Sequence, residues 1–163
     1  MNKYDKLFES ENIYYIKMTE SLKKEYVNMY YDLEIQKLLF AKIFTKEQIE
    51  NWINKQLSDD NAHIFSMIEK ETDDYIGDIQ VMDKGNNIGE IFISITKDKQ
   101  DRHYGTEAIK EMLKYSKEVL GLEELELYVK KTNERAVHCY EKIGFVINGD
   151  GITDEDFHMN KTL

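Results

Sequence analysis

The stretch Gln100-Asp101-Arg102-His103-Tyr104-Gly105-Thr106-Glu107-Ala108 joins two segments of different periodicity. Before it runs Ile91-Phe92-Ile93-Ser94-Ile95, an apolar, β-branched series that reads as a strand. After it, Ala108, Ile109, Met112, Leu113, Ser116 and Leu120 recur at helical spacing, which predicts an amphipathic helix over residues 105–120. A strand that turns directly into a helix leaves the first helical N–H groups unpaired and pointing outward. Those amides and the helix dipole make an anion site, most naturally for phosphate. Such turns are common, so the rest of the chain must decide what this one binds.

Working outward, residues 125–130 alternate Leu-Glu-Leu-Tyr-Val-Lys and form the next strand. Residues 88–130 are therefore strand, helix, strand, which requires a right-handed crossover and a parallel pair. Upstream, strands at 63–70, 75–82 and 88–96 are separated by short polar turns and form an antiparallel meander. Further upstream a strand at 11–18 precedes a helix capped by Thr19 or Ser21, with Leu22, Tyr26, Met29 and Tyr30 on one face. The capping box Thr45–Gln48 opens another helix, with Ile49, Trp52, Ile53 and Leu57 expected on its apolar face.

Downstream, Asn133 caps a short helix over 134–143 that stops at Gly144. A strand begins at Phe145-Val146-Ile147, residues 148–151 turn, and residues 156–163 can close the sheet. The expected fold is α/β: a mixed sheet of about six to seven mostly antiparallel strands, one parallel crossover pair, and helices on both faces. Its 163 residues form a single domain, 1–163, large enough to bury a core without staples.

A net charge of −10 argues against nucleic acid and against an anionic membrane surface as partners. It suits a cationic substrate, or simple solubility. No apolar run approaches the ~20 residues of a membrane span, and the first residues lack the apolar region of a signal peptide. One cysteine excludes an internal disulfide framework, which fits a cytoplasmic location. The four histidines are scattered, and His138 with Glu141 supplies only two ligands, so no metal is expected. Cys139 reads as a small packed residue rather than a nucleophile.

A second stretch, Asn133-Glu134-Arg135-Ala136-Val137-His138-Cys139-Tyr140-Glu141-Lys142-Ile143-Gly144-Phe145, gives the first its meaning. Together they resemble the GNAT superfamily of acyl-CoA-dependent N-acetyltransferases. Residues 100–105 are similar to its pyrophosphate loop, and Asn133…Ala136…Tyr140…Gly144-Phe145 to its later motif. The continuation Gly105-Thr106-Glu107-Ala108 is similar to the branch of ribosomal-protein N-terminal and spermidine acetyltransferases. One position departs: His103 stands where the pattern has its first loop glycine. If that position needs a positive φ or a close approach to phosphate, His is poorly suited. The loop is then displaced, or the imidazole itself touches a phosphate.

The resemblance implies a GNAT-like fold and direct acetyl transfer from acetyl-CoA, as cosubstrate, to a primary amine within a ternary complex. The backbone of Ile93 and Ile95 would pair with the pantetheine arm. The stretch Gln100, Asp101, Arg102, His103, Tyr104, Gly105 and Thr106 would hold the pyrophosphate, and Asn133 would both cap its helix and bind the arm. Tyr140 would contact the cofactor and protonate the departing thiolate, and Glu90 would take the proton of the attacking amine. Lys97, Lys99 and Arg102 either assist the phosphate site or form a solvated turn balanced by Asp98 and Asp101. The acidic loop 150–156 would suit a polyamine, an aminoglycoside or a protein N-terminus, among which the sequence does not choose. A homodimer is left open. The alternatives are a non-catalytic acyl-CoA-binding module of the same fold and an unrelated nucleotide-binding α/β protein.

Overall fold

The computed structural model describes residues 4–40 and 42–163; the start of the segment read above for a leader lies outside them. Strands β1 (Lys6–Glu9) and β2 (Ile13–Ile16) lead into helices α1 (Glu20–Tyr31), α2 (Leu33–Leu39) and α3 (Lys46–Leu57). Then come β3 (Ala62–Glu69), β4 (Tyr75–Asp83), β5 (Ile88–Ile95), α4 (Tyr104–Glu118), β6 (Glu124–Lys130), α5 (Glu134–Ile143), β7 (Val146–Asp150) and β8 (Asp156–Thr162). One sheet takes all eight strands in the order β1-β2-β3-β4-β5-β6-β8-β7, antiparallel except at β5–β6. The expected six to seven strands become eight. The added one, β1, is short and mostly exposed, and is held by Phe8 stacking on Tyr15 and Tyr115.

Alternation assigns each face. Leu125, Leu127 and Val129 of β6 and Ile91 of β5 join Ala108, Ile109 and Met112 of α4 and Val137 of α5 in one core. On the other face α1, α2 and α3 bury Leu22, Tyr26, Met29, Ile35, Ile49 and Ile53 against Ile16 and Ile68. Glu90, Phe92 and Ser94 of β5 and Glu126 and Tyr128 of β6 alternate onto this second face.

The helix ends follow their local chemistry. Thr45 and Gln48 make the full capping box, Thr19 caps α1, and Gly144 ends α5 in the left-handed region. Helix α2 was not expected; Asp32 caps it by accepting from the N–H groups of Glu34 and Ile35. On α3 the buried face is Ile49, Ile53 and Gln56, whereas Trp52 and Leu57 are exposed. On that buried face Gln56 accepts a 3.0 Å hydrogen bond from Gln80 of β4.

Candidate active site

Strand β5 is paired with β4 along Gly89–Ile95, and β6 with β8 along its whole length. Between them only Ile88, Glu90 and the glycine separating them meet Glu124–Glu126. Beyond Glu90 the two strands diverge, so the β5 edge from Ile91 to Ile95 has no strand beside it. Gly89 sits at the vertex because a Cβ there would come within 3 Å of Val81, Leu122 and Leu125. The wedge opens towards the carboxyl ends of both strands, where α4 and α5 begin.

At the open end the loop from Thr96 to His103 leads into α4. His103 occupies the cap position with φ 66° and ψ 11°, in the left-handed region, and makes no side-chain cap bond. The N–H groups of Tyr104, Gly105 and Thr106 are thus left without helical partners at the mouth of α4. The departure at His103 falls on a position whose backbone does favour glycine. Asp101 is left-handed too. Gln100 donates to the Ile95 carbonyl at 3.1 Å and accepts from Arg135 at 3.2 Å, while Arg135 also pairs with Asp101. The loop is therefore clamped between β5 and α5 through Gln100 and Asp101. Glu107 accepts from Ser10 and from both nitrogens of Asn12, tying the first turn of α4 to the β1–β2 turn.

The three cations beside this loop do different work. Lys99 is buried, with Glu69 and Asp74 each 3.0 Å away, and Lys97 pairs with Glu34 at 2.8 Å. Their partners are not the sequence neighbours Asp98 and Asp101. Hydrogen bonds from Thr72, Tyr104 and Lys99 pull the Glu69 carboxyl down to about 2. The Tyr104 phenol is spent on Glu69, which leaves only its backbone N–H for an anion. Lys97 and Arg102 are both exposed, and Arg102 lies 3.9 Å from Glu69.

Tyr140 lies on α5, its ring edge-on to Phe145 at 6.0 Å. Its hydroxyl has no hydrogen-bond partner among the described residues, and burial pushes its pKa above that of a free phenol, with Cys139 and Tyr30 adding to the shift. Tyr30 belongs to α1 on the opposite face of the sheet and hydrogen-bonds Ser94 of β5. Two phenols from opposite faces can influence one another here because the sheet is open between β5 and β6. Asn133 caps α5 through the N–H of Ala136 at 3.4 Å, and Thr106 meets Cys139 at 3.2 Å, which closes α4 onto α5.

Glu90 sits at the vertex, half-buried. Burial raises its pKa from the ordinary glutamate value, against the opposing pull of Lys84. Lys84, on the β4–β5 turn, reaches Glu90 at 3.3 Å and Glu126 at 2.6 Å, and His158 of β8 meets the other Glu126 oxygen at 2.8 Å. Sequence reading found Glu90 but not these partners, which come from three separate segments. It also missed Asp78 of β4, buried opposite Ser94. Ser66 donates to Asp78 at 3.0 Å and Tyr75 donates to its second oxygen, yet burial pushes its carboxyl up to about 8. A carboxylate inside the apolar run Ile76–Val81 was the available signal.

The acidic turn between β7 and β8 lies beside the last residue of β6, since Lys130 pairs with Asp156, and Lys131 holds Asp150 at 2.7 Å. It therefore borders the open end of the wedge on the β8 side. Among the described residues no group of three or more His, Cys, Asp and Glu side chains could hold a metal ion, and no helix is long and apolar enough to cross a membrane.

Residues 14–146 match the acetyltransferase (GNAT) domain. The chain belongs to the GNAT acetyltransferases. Among curated GNAT relatives, the spermidine N(1)-acetyltransferase of Vibrio cholerae is 29% identical over 116 residues, 70% of this chain and 65% of that protein. The Escherichia coli K12 spermidine N(1)-acetyltransferase is 39% identical over 61 residues, 37% of this chain and 33% of that one. The matches thus span less than two thirds of these relatives. The fold agrees with the crystal structure of spermidine N-acetyltransferase from Vibrio cholerae in complex with CoA and spermine. Its TM-score is 0.82 at 21% identity, over 94% of this chain and 96% of that one. A GNAT-family acetyltransferase from Bacillus anthracis gives a TM-score of 0.80 at 20% identity, over 94% and 96%.

Proposed function

We propose that this GNAT acetyltransferase transfers the acetyl group of acetyl-CoA directly to a primary amine of a polyamine. The wedge between β5 and β6 carries this reading: it offers an unpartnered strand edge, with free helix-mouth amides at one end and a raised-pKa carboxyl at the other. The pantetheine arm lies along Ile91–Ile95, pairing with the backbone of Ile93 and Ile95 as an added strand would. The N–H groups of Tyr104, Gly105 and Thr106, with Arg102 at the rim, receive the pyrophosphate. Asn133 caps α5 and contacts the arm.

The thioester then lies towards the vertex, between Glu90 and Tyr140. A cationic amine arrives protonated, and Glu90 accepts its proton; a carboxyl raised by burial is a better base than a free one. The neutral nitrogen attacks the carbonyl carbon, while a β5 backbone N–H stabilises the oxyanion. Collapse expels the thiolate, which takes its proton from Tyr140, and the acylated nitrogen sheds its second proton to the resulting phenolate, which leaves a neutral amide and restores the phenol. A phenol without a partner is free to give that proton.

A polyamine acceptor is supported by the spermidine relatives, by the net charge of −10, and by the carboxylates at the vertex and in the β7–β8 turn. The test is thiol release from acetyl-CoA over spermidine, spermine, putrescine, an aminoglycoside and N-terminal peptides. Release with the polyamines supports the reading. A CoA-induced thermal shift without thiol release from any amine would replace it with a non-catalytic acyl-CoA-binding module.

A further inference from the structure

Glu90 has an arrangement around it that the transfer chemistry alone does not require. The β4–β5 turn places Lys84 across the vertex: its N–H donates to the Ile88 carbonyl at 2.9 Å, and Asp83 accepts from the N–H of Gly85 at 2.9 Å. Asn86 and Asn87 are both left-handed, which folds the turn tightly. Lys84 thereby stands over two carboxylates of neighbouring strands, with Glu90 opposite Glu126 in the parallel register. Side-chain exposures of 15% and 13% for Glu90 and Glu126 keep bulk water from screening the interaction fully.

We propose that Lys84 is a positioning residue for Glu90: its ammonium is shared between Glu90 and Glu126, and Glu126's share decides how readily Glu90 accepts the acceptor's proton. The proposal rests on Glu90 being the base. The geometry is unequal, 2.6 Å to Glu126 against 3.3 Å to Glu90, so Glu126 holds most of the cation. Glu90 is left near enough to be oriented but not strongly neutralised. A base bound tightly to its own ammonium would be too weak to deprotonate an alkylamine. A base beside an uncompensated second carboxylate would stay protonated at neutral pH.

The titratable and charged groups facing this point are Lys84 from the turn, Glu90 from β5, Glu126 and Tyr128 from β6, and His158 from β8. The Tyr128 ring lies 5.8 Å from the Lys84 ammonium and 5.1 Å from the His158 ring, and Glu124 is engaged by Asn160 at 3.2 Å. His158 is the second holder of Glu126, so Glu126 keeps a partner when Lys84 is removed.

The experiment compares the acid limb of kcat/KM against pH, with one polyamine acceptor, for the wild type and four variants. The acceptor's own titration is common to all of them, so differences report the enzyme. Lys84→Met removes the opposite charge, and the limb should move to higher pH by about one unit. Glu126→Gln releases Lys84 wholly to Glu90 and removes a like charge, so the limb should move to lower pH. Lys84→Arg keeps the cation and should restore most of the wild-type position. Glu90→Gln should lose the limb together with most of the activity. Opposite shifts in the Lys84 and Glu126 variants are not what loosened packing produces. Shifts in the same direction, or none, with Glu90→Gln still inactive, overturn the role of Lys84 and leave Glu90 as the base. A wild-type profile in Glu90→Gln overturns the base and the Lys84 proposal with it.

Discussion

Replacing His103 by glycine should stabilise the protein, although it removes a whole side chain at the mouth of α4. His103 has φ 66° and ψ 11°, and its imidazole makes no cap bond that would repay the left-handed conformation. That conformation costs a residue with a Cβ roughly 1–2 kcal/mol relative to glycine. Histidine tolerates the region better than most residues, which places the gain near the lower end, about 1 kcal/mol. In a domain of this size, 1 kcal/mol moves Tm by roughly 2–4 °C. The control is His103→Ala, which deletes the imidazole but keeps the Cβ and so should give no rise. Thermal unfolding of the three proteins, with and without CoA, separates the backbone effect from a ligand effect. If His103→Gly melts no higher than His103→Ala, the strain at this position is not real. If glycine stabilises the free protein but weakens CoA binding, the imidazole itself contacts a phosphate.

Tyr140→Phe keeps the ring against Phe145 and removes the proposed proton donor, so kcat should fall by roughly 10²–10⁴ with little change in Tm; unchanged turnover would sink the acid assignment. Lys99→Met leaves buried Glu69 with Thr72, Tyr104 and only the exposed Arg102 at 3.9 Å, and should destabilise by about 3 kcal/mol, the low end for breaking a buried pair, read by urea unfolding. Asp78 has a folded pKa near 8 against an unfolded 3.8, so the native state binds the extra proton. Its contribution is complete below about pH 4 and is lost as pH rises towards 8, at no more than about 1.4 kcal/mol per pH unit. Asp78→Asn should flatten that slope between pH 4 and 8, and an unchanged slope in unfolding titrations would show that Asp78 does not titrate there.

What the sequence made legible was local. The strand–turn–helix at residues 91–120, the box at Thr45–Gln48, the cap at Asn133 and the stop at Gly144 each depend on residues within a few positions of one another. They appear as read, apart from small shifts at element ends. The chain's short or atypically buried pieces were harder. Strand β1 has four residues, three of them exposed, and α2 leaves Leu33, Leu38 and Leu39 partly open to solvent, so neither carries a clear apolar period. Trp52 looked like core by spacing, but the buried stripe of α3 is Ile49, Ile53 and Gln56, whose amide meets Gln80 in a pairing no spacing shows.

Charge pairing was the least legible. Lys97 and Lys99 have acidic neighbours in sequence yet pair with Glu34, Glu69 and Asp74, brought in from α2, β3 and the β3–β4 turn. Glu90 could be picked out by its position on a strand, whereas Lys84, Glu126 and His158 join it only through the order β4-β5-β6-β8.

The divergence of β5 from β6 makes this sheet two plates. One is β1-β2-β3-β4-β5 and the other β6-β8-β7, and their ladders meet at three residue pairs beside Glu90. Besides that short seam, α4 and its loops are the covalent strap between them. A molecule seated along the β5 edge and touching β6 would rivet the plates together. The slowing of amide exchange it caused would then run along both strands at once, although they lie some thirty residues apart in the chain.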